Sequence, residues 1–171
     1  LENAQAAVAV ALRSGANLKA CANVLSEFSG LPHRMEFIGK QNGVQFVNDS
    51  KATTPHATIS SMRAVSQVTL IAGGRNKGID LRELENLRPQ NVVAIGEASE
   101  EIQEIFQDIC DVKQVSTMRE AVEVSVSITR SGGTILLSPG CSSFDWYNSY
   151  AERGDDFRSL VHEHVSENQS G

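Results

Sequence analysis

The chain has 171 residues, of which 40% are hydrophobic, and this suits one domain of ordinary size or one domain with a piece of another. Its formal net charge of -6 argues against nucleic acid and against a membrane surface as partners, because both attract basic proteins. The three cysteines fit neither a disulfide framework nor a zinc site, which indicates a reducing cytoplasm. No stretch reaches the roughly 20 apolar residues that span a bilayer, and no leader of the secretory kind is recognisable.

Two helices are predicted for the first 30 residues. Residues 2–13 are strong helix formers, Gly15 suits a left-handed helix end, and Asn17 can cap a second helix that runs to about Phe28. The segment 28–34 combines a glycine with a proline, which is typical of a boundary or hinge. We therefore assign residues 1–30 and 31–171 to different domains. The chain starts inside a helical pattern without a methionine, so we expect residues upstream of it.

From residue 35 onward the pattern is that of an α/β domain. Segments 35–40 and 44–49 alternate with a period of two around Asn42 and Gly43, which favour a tight hairpin turn. Short apolar runs follow at 68–71, 91–95, 112–115 and 134–137, and helical patterns at 56–65, 99–110, 117–130 and 155–165 accompany them. The sequence therefore predicts a Rossmann-like open, mostly parallel sheet with an N-terminal β-hairpin and helices on both faces.

The loops after the strands are the candidate ligand site, since ligands of open α/β sheets bind beyond the carboxyl ends of the strands. The loop 48–54 holds Asp49, Lys51 and Thr53 just before Pro55, which suits the first turn of a helix. The same residues also fit a capped helix with a surface ion pair, and their spacing does not decide between the two interpretations.

The loop 72–78 is a glycine-lined turn that presents Lys77, a point charge suited to a carboxylate or a phosphate. It matches neither the P-loop nor the G-x-G-x-x-G pattern, so we reject both. The alternative is an ordinary solvated lysine.

A third loop, 138–157, is rich in hydroxyl and aromatic residues that could bind a carboxylate and exclude water. For Trp146 and Tyr147 we favour a structural role, in which the rings anchor the last helices to the sheet. Cys141 is interpreted as a small packed thiol, because none of the four histidines has a context that would make it the base for a nucleophile. We assign no metal site.

Four segments occur in a characteristic order: LPHRMEF, NDSKAT, AGG-x-x-KG and LLSPGCSSFDWY followed by ERGDDF. With them, residues 31–171 resemble the MurD family, the UDP-N-acetylmuramoyl-L-alanine:D-glutamate ligases of bacterial cell-wall synthesis. The resemblance implies an ATP-dependent reaction that joins D-glutamate to the nucleotide-linked substrate through an acyl phosphate. It also implies that residues 1–30 are the closing helices of a central ATP-binding domain, whose remainder would hold Mg2+. We expect the 171 residues to be inactive alone.

The resemblance also assigns roles to individual residues. The D-glutamate ligands would be Thr53, Lys77, Ser143, Phe144 and Tyr150, with Lys51 facing the same region and Lys51 and Lys77 as the catalytic cations. The residues near the nucleotide would be Asn3, Arg34 and Asp49, with His33 beside them. Three positions depart from the family pattern: Thr54 replaces an asparagine, Arg75 replaces an acidic residue, and Tyr150 replaces an aromatic residue without a hydroxyl. Some relatives use L-glutamate.

Two other classes of protein are compatible with such a fold. A non-catalytic nucleotide-binding regulatory module would require the G-x-G-x-x-G pattern and its ribose-binding acid, which the sequence lacks. An oligomerisation scaffold would require a broad apolar face, which the sequence does not indicate.

Overall fold

The computed structural model describes residues 2–28 and 30–167, including the side chains of 4–28 and 30–166. It divides into two compact units, Leu1–Leu31 and Pro32–Gly171. Within the described ranges, no helix combines the length and the apolar composition that crossing a membrane requires.

The first unit consists of two helices, α1 at Glu2–Arg13 and α2 at Leu18–Glu27. Gly15 adopts a φ of 94° between them, and the side chain of Asn17 accepts a hydrogen bond of 2.9 Å from the amide of Ala20. Both helices and the cap confirm the predictions. The side chain of Asn3 lies outside the described residues, so its contact with nucleotide stays a prediction, as does the assignment of this unit to an ATP-binding domain.

The second unit is built on a six-stranded sheet in the order β1-β2-β6-β3-β4-β5. Its strands are β1 (Glu36–Gln41), β2 (Val44–Asn48), β3 (Val68–Gly73), β4 (Asn91–Ile95), β5 (Asp111–Gln114) and β6 (Thr134–Gly140). Only β1 and β2 pair antiparallel, and Asn42 and Gly43 turn the chain between them with φ angles of 51° and 85°. The hairpin and the parallel sheet are therefore as predicted.

Helices cover both faces of the sheet. They are α3 (Pro55–Met62), α4 (Ser99–Phe106), α5 (Met118–Ile128) and α6 (Tyr150–Glu167), with a short 3-10 helix at Leu81–Asn86. Successive strand residues face opposite ways, so Ile71, Val93 and Ile135 pack with α5 and α6. Their neighbours Leu70, Val92 and Leu136 pack with α4 and the 3-10 helix on the other side. The two-sided burial explains the continuous apolar runs in the sequence.

The predicted last helix at 155–165 is confirmed, but α6 begins at Tyr150, so the prediction of a loop through residue 157 is wrong. The hydroxyl of Ser149 accepts a hydrogen bond of 3.1 Å from the amide of Glu152. In return, the carboxylate of Glu152 accepts one of 2.9 Å from the amide of Asn148. This pairing satisfies amides at the helix start that would otherwise lack a partner, and so it fixes the start of the helix.

Candidate functional site

The loops at the carboxyl ends of the parallel strands form one continuous edge, which we name the carboxyl rim: residues 49–54, 74–80, 96–98 and 141–149. Arg75 and Ser142 form an isolated antiparallel bridge, with N–H···O distances of 2.9 Å and 3.1 Å. The amide of Glu97 donates to the carboxylate of Asp145 at 3.0 Å. The loops after β3, β4 and β6 are therefore hydrogen-bonded to each other.

Asp49, in the loop after β2, is hydrogen-bonded to three other segments of the chain. Its carboxylate accepts hydrogen bonds from the hydroxyls of Ser61 at 2.5 Å and Ser138 at 3.0 Å, and from the amide of Met35 at 3.1 Å. Burial raises the pKa of Asp49, while these three donors and the charge of Arg34 act in the opposite direction. Asp49 is only 6% exposed, so a surface ion pair of this residue is wrong. The capped helix of the same interpretation is confirmed, because the hydroxyl of Thr54 accepts a hydrogen bond of 3.4 Å from the amide of Ala57 at the start of α3.

Lys51 and Lys77 are held over aromatic rings. The Nζ atom of Lys51 lies 3.8 Å from the ring centroid of Tyr150, and that of Lys77 lies 4.5 Å from the ring centroid of Phe144. In the part of the chain that the structure describes, neither ammonium group has a carboxylate within ion-pair distance. Two uncompensated positive charges therefore lie on the carboxyl rim.

Thr53 and Ser143 lie on the loops of the same rim. Thr53 is half-buried in the loop after β2, where its amide donates to the carbonyl of Lys51 at 2.9 Å. Ser143 is buried, and its carbonyl accepts bonds of 3.2 Å and 2.8 Å from the amides of Trp146 and Tyr147. The structure thus brings the predicted glutamate ligands onto neighbouring loops, although their binding of glutamate stays a prediction.

His33 is buried and has a left-handed φ of 61°. Its Nδ1 atom lies 3.1 Å from the side-chain nitrogen of Asn48, and its ring meets the ring of Tyr150 edge-on at 6.0 Å. Arg34, the next residue, is exposed. Of the described residues that we predict near a nucleotide, only Arg34 therefore presents an exposed charged side chain, while His33 and Asp49 are bonded inside the fold.

Arg153 is a residue of the site that the sequence reasoning missed. It is 1% exposed, and its guanidinium donates to the hydroxyl of Ser50 at 3.0 Å, to the carbonyl of Ser50 at 2.9 Å and twice to the carbonyl of Cys141 at 3.2 Å. Burial lowers the pKa of Arg153 to about 10, although the charge of Asp145 opposes this. The side chain fastens the loops after β2 and β6 to α6. An arginine on a helix ordinarily faces water, so the ERGDDF segment gave no sign of its burial.

The other residues of the loop after β6 have structural roles. Trp146 and Tyr147 pack against the core, and the hydroxyl of Tyr147 donates to Asp156 at 2.5 Å, which confirms the anchoring interpretation. Cys141 is buried, and burial raises the pKa of its thiol to about 12. The thiol is therefore protonated at neutral pH and unsuited to attack, in agreement with the packed-thiol interpretation.

The sheet order and the carboxyl rim are those of an open α/β ligand-binding domain. A domain family described as Mur ligase, glutamate ligase domain, matches residues 33–141. Because this match covers more than half of the chain, the chain belongs to the Mur ligase family, in which it is a C-terminal, glutamate ligase domain.

Relatives with similar sequences carry one description. The chain is 42% identical over 164 residues to UDP-N-acetylmuramoylalanine--D-glutamate ligase of Aquifex aeolicus, covering 93% of the chain and 40% of that protein. It is 39% identical over 165 residues to the ligase of the same description from Bdellovibrio bacteriovorus, covering 94% of the chain and 36% of that protein. The chain thus spans about two fifths of the length of these relatives.

Solved structures share the fold at lower identity. UDP-N-acetylmuramate-alanine ligase of Thermotoga maritima superimposes with a TM-score of 0.68 at 17% identity, covering 95% of this chain and 37% of that one. FolC of E. coli, in complex with DHPP and ADP, superimposes with a TM-score of 0.67 at 18% identity, covering 95% and 39%. At such identities the likeness supports the fold, and the confirmed Rossmann-like architecture agrees with it.

Proposed function

We propose that this chain is the amino-acid-binding part of an ATP-dependent ligase that joins D-glutamate to UDP-N-acetylmuramoyl-L-alanine in peptidoglycan synthesis. The substrate carboxylate takes the terminal phosphoryl group of ATP, the amine of D-glutamate attacks the resulting acyl phosphate, and phosphate leaves as the amide bond forms. The relatives described above support this specificity. The reaction uses ATP and a nucleotide-linked sugar, so we place the protein in the cytoplasm, where both are made.

The observation that carries the proposal is the pair of uncompensated ammonium groups, Lys51 and Lys77, on the carboxyl rim. D-glutamate brings two carboxylates, and the other substrates are also anionic, so the reactants repel each other unless cations hold them in place. Lys77 neutralises a glutamate carboxylate, and the hydroxyls of Thr53 and Ser143 donate hydrogen bonds to it. Lys51 stabilises charge on the neighbouring reacting groups.

Of the two cofactors, ATP and Mg2+, only ATP has a candidate ligand among the described residues of this chain. Among the described residues, no group of three or more His, Cys, Asp or Glu side chains is placed to hold a metal ion. The proposal therefore takes the Mg2+ ligands and the phosphate loop from another domain of the ligase. For ATP, the exposed guanidinium of Arg34 is suited to binding a phosphate or ribose oxygen. The carboxylate of Asp49 accepts a hydrogen bond from the amide of Met35 and so holds the main chain next to Arg34.

The test is the kinetics of the complete ligase that carries this chain. D-glutamate should stimulate phosphate release from ATP and UDP-N-acetylmuramoyl-L-alanine, with L-glutamate as a parallel assay. The Lys77→Met variant should raise KM for D-glutamate about 10- to 100-fold, the effect of losing a hydrogen bond to a charged group. Lys113→Met, an exposed lysine on β5, is the matched control. The proposal is wrong if D-glutamate has no effect on phosphate release, or if Lys77→Met and Lys113→Met behave alike.

A second experiment uses the chain by itself. We expect the 171 residues to form no ADP from ATP and the substrates, because the catalytic phosphate and metal groups belong to another domain. ADP production at the rate of a complete ligase would contradict this expectation. An NMR titration with D-glutamate and NAD in parallel distinguishes the ligase from a regulatory nucleotide-binding module, which would respond to NAD alone.

A further inference from the structure

Each lysine of the proposed glutamate site contacts an aromatic ring that belongs to a different segment of the chain. Lys77 lies in the loop after β3 and Phe144 in the loop after β6, with 4.5 Å between Nζ and the ring centroid. Lys51 lies in the loop after β2 and Tyr150 at the first turn of α6, with 3.8 Å between Nζ and the ring centroid. The same type of contact therefore occurs twice on one rim.

An aromatic partner leaves the charge of a lysine available to a ligand, whereas an acidic partner does not. A lysine has a flexible side chain that carries about 2 kcal/mol of rotamer entropy, so an unheld ammonium group samples many positions. A ring face attracts the cation through its quadrupole without cancelling the charge. A carboxylate would hold the ammonium equally well but would neutralise it and compete with an anionic ligand. The rings thus fix the two cations and leave their charge for a ligand.

The main chain that carries each ring is tied to other segments of the fold. The carbonyl of Tyr150 accepts a hydrogen bond of 2.7 Å from the hydroxyl of Ser50, and its ring meets that of His33. Phe144 is two residues from Ser142, whose bridge to Arg75 ties the loop of Phe144 to the loop of Lys77. Phe144 is 50% exposed, and its ring lies against Lys77.

We propose that Phe144 and Tyr150 are positioning residues: their ring faces aim the ammonium groups of Lys77 and Lys51 at the anionic groups of the bound reactants. The aromatic face is the required feature, and the hydroxyl of Tyr150 is dispensable for it. The identity of the reactants rests on the proposed function, whereas the ring–lysine contacts do not.

The contacts are tested by NMR on the chain with 13C at the lysine ε-carbons. Protons above a ring face resonate upfield, so the ε-protons of Lys77 should move downfield in Phe144→Leu and stay upfield in Phe144→Tyr. The ε-protons of Lys51 should respond in the same way to Tyr150→Leu and Tyr150→Phe. The resonance of Lys113 is the internal reference. A Lys77 signal that is the same in Phe144→Leu and in the unmodified chain overturns the contact.

The function of the contacts is tested in the complete ligase. Phe144→Leu and Tyr150→Leu should each raise KM for the amino acid by about 3- to 10-fold, as expected for a partly desolvated cation–π contact. The variants that keep a ring, Phe144→Tyr and Tyr150→Phe, should restore KM. Phe37→Leu, an exposed ring on β1, is the matched control.

The outcomes separate this inference from the proposed function. If Phe144→Leu abolishes the upfield shift but leaves KM unchanged, the rings do not act through the lysines. If the unmodified ligase does not use glutamate at all, the proposed function fails, while the NMR comparison still decides whether the rings hold the lysines.

Discussion

The guanidinium of Arg153 donates two hydrogen bonds of 3.2 Å to the carbonyl oxygen of Cys141. A third bond of 2.9 Å reaches the carbonyl of Ser50, so one buried cation joins α6 to the loops after β2 and β6. In the described residues, no carboxylate lies within ion-pair distance of it. A buried charge without an acidic partner is costly, and here carbonyl and hydroxyl oxygens offset that cost.

We predict that Arg153→Met lowers the free energy of unfolding by about 2 kcal/mol or more, since it leaves buried carbonyl oxygens without donors. Urea denaturation of the chain measures the difference. Arg63→Met, the control, removes an exposed arginine at the C-terminal end of α3. It should change the free energy of unfolding by less than about 0.5 kcal/mol. Equal effects of the two substitutions would show that the bonds of Arg153 contribute nothing specific.

Gly154 should be intolerant of alanine, although alanine is normally about 1 kcal/mol better than glycine within a helix. A Cβ atom at this position would lie 2.2 Å from Nδ1 of the buried His33. We predict that Gly154→Ala destabilises the chain by about 1–3 kcal/mol, the usual cost of overpacking. Gly39→Ala, where a Cβ would meet no atom within 4 Å, is the control. In a double-mutant cycle, His33→Asn should reduce the loss of stability that Gly154→Ala causes. Strictly additive changes in the free energy of unfolding would contradict a clash between the alanine Cβ and the His33 ring.

Asp49 should make the stability depend on pH in the acid range. Its folded-state pKa is raised above 3.8, so the native state binds this proton more tightly than the unfolded chain does. The contribution is fully present below the unfolded pKa and is lost as pH rises through the folded pKa. We therefore predict that the stability of the wild type relative to Asp49→Asn falls with rising pH in that window and is constant above it. Urea denaturation from acid to neutral pH measures the difference, and a difference that rises with pH refutes the prediction.

We predict that Ser149 contributes about 1 kcal/mol to the free energy of unfolding, because its hydroxyl caps the start of α6. Thermal or urea unfolding of Ser149→Ala measures this loss. Ser60→Ala, an exposed position within α3, is the matched substitution and should be neutral or slightly stabilising. If Ser149→Ala unfolds like Ser60→Ala, the start of α6 is fixed by packing instead of by its cap.

The strands could be predicted because their burial leaves a direct trace in the sequence. Three of the four residues are apolar in each of the segments 68–71 and 134–137, since both faces of β3 and β6 are covered. The turn at Asn42 and Gly43 is also predictable from the sequence, because few residue types adopt its positive φ angles. Local chemistry and two-sided burial thus determine most of the sheet.

Other features depend on contacts that are distant in the chain. The burial of Arg153 requires the carbonyls of Ser50 and Cys141, which only the folded sheet brings together. The pairing of Lys77 with Phe144 likewise joins two separate loops. The start of α6 differs from these cases, since the Ser149-x-x-Glu152 pattern is local, and Gly154, a poor helix former, argues against a helix at this point of the sequence.

The bridge between Arg75 and Ser142 uses only main-chain atoms of Arg75, including the carbonyl that also accepts from the Ser142 hydroxyl at 2.9 Å. Its guanidinium meanwhile reaches outward to Glu97 at 2.7 Å. Position 75 can therefore carry an acidic or a basic side chain without loss of the hydrogen bonds that join the two loops. A change of side chain at this position would alter the surface charge beside the carboxyl rim and would leave the main-chain bonds between the two loops intact.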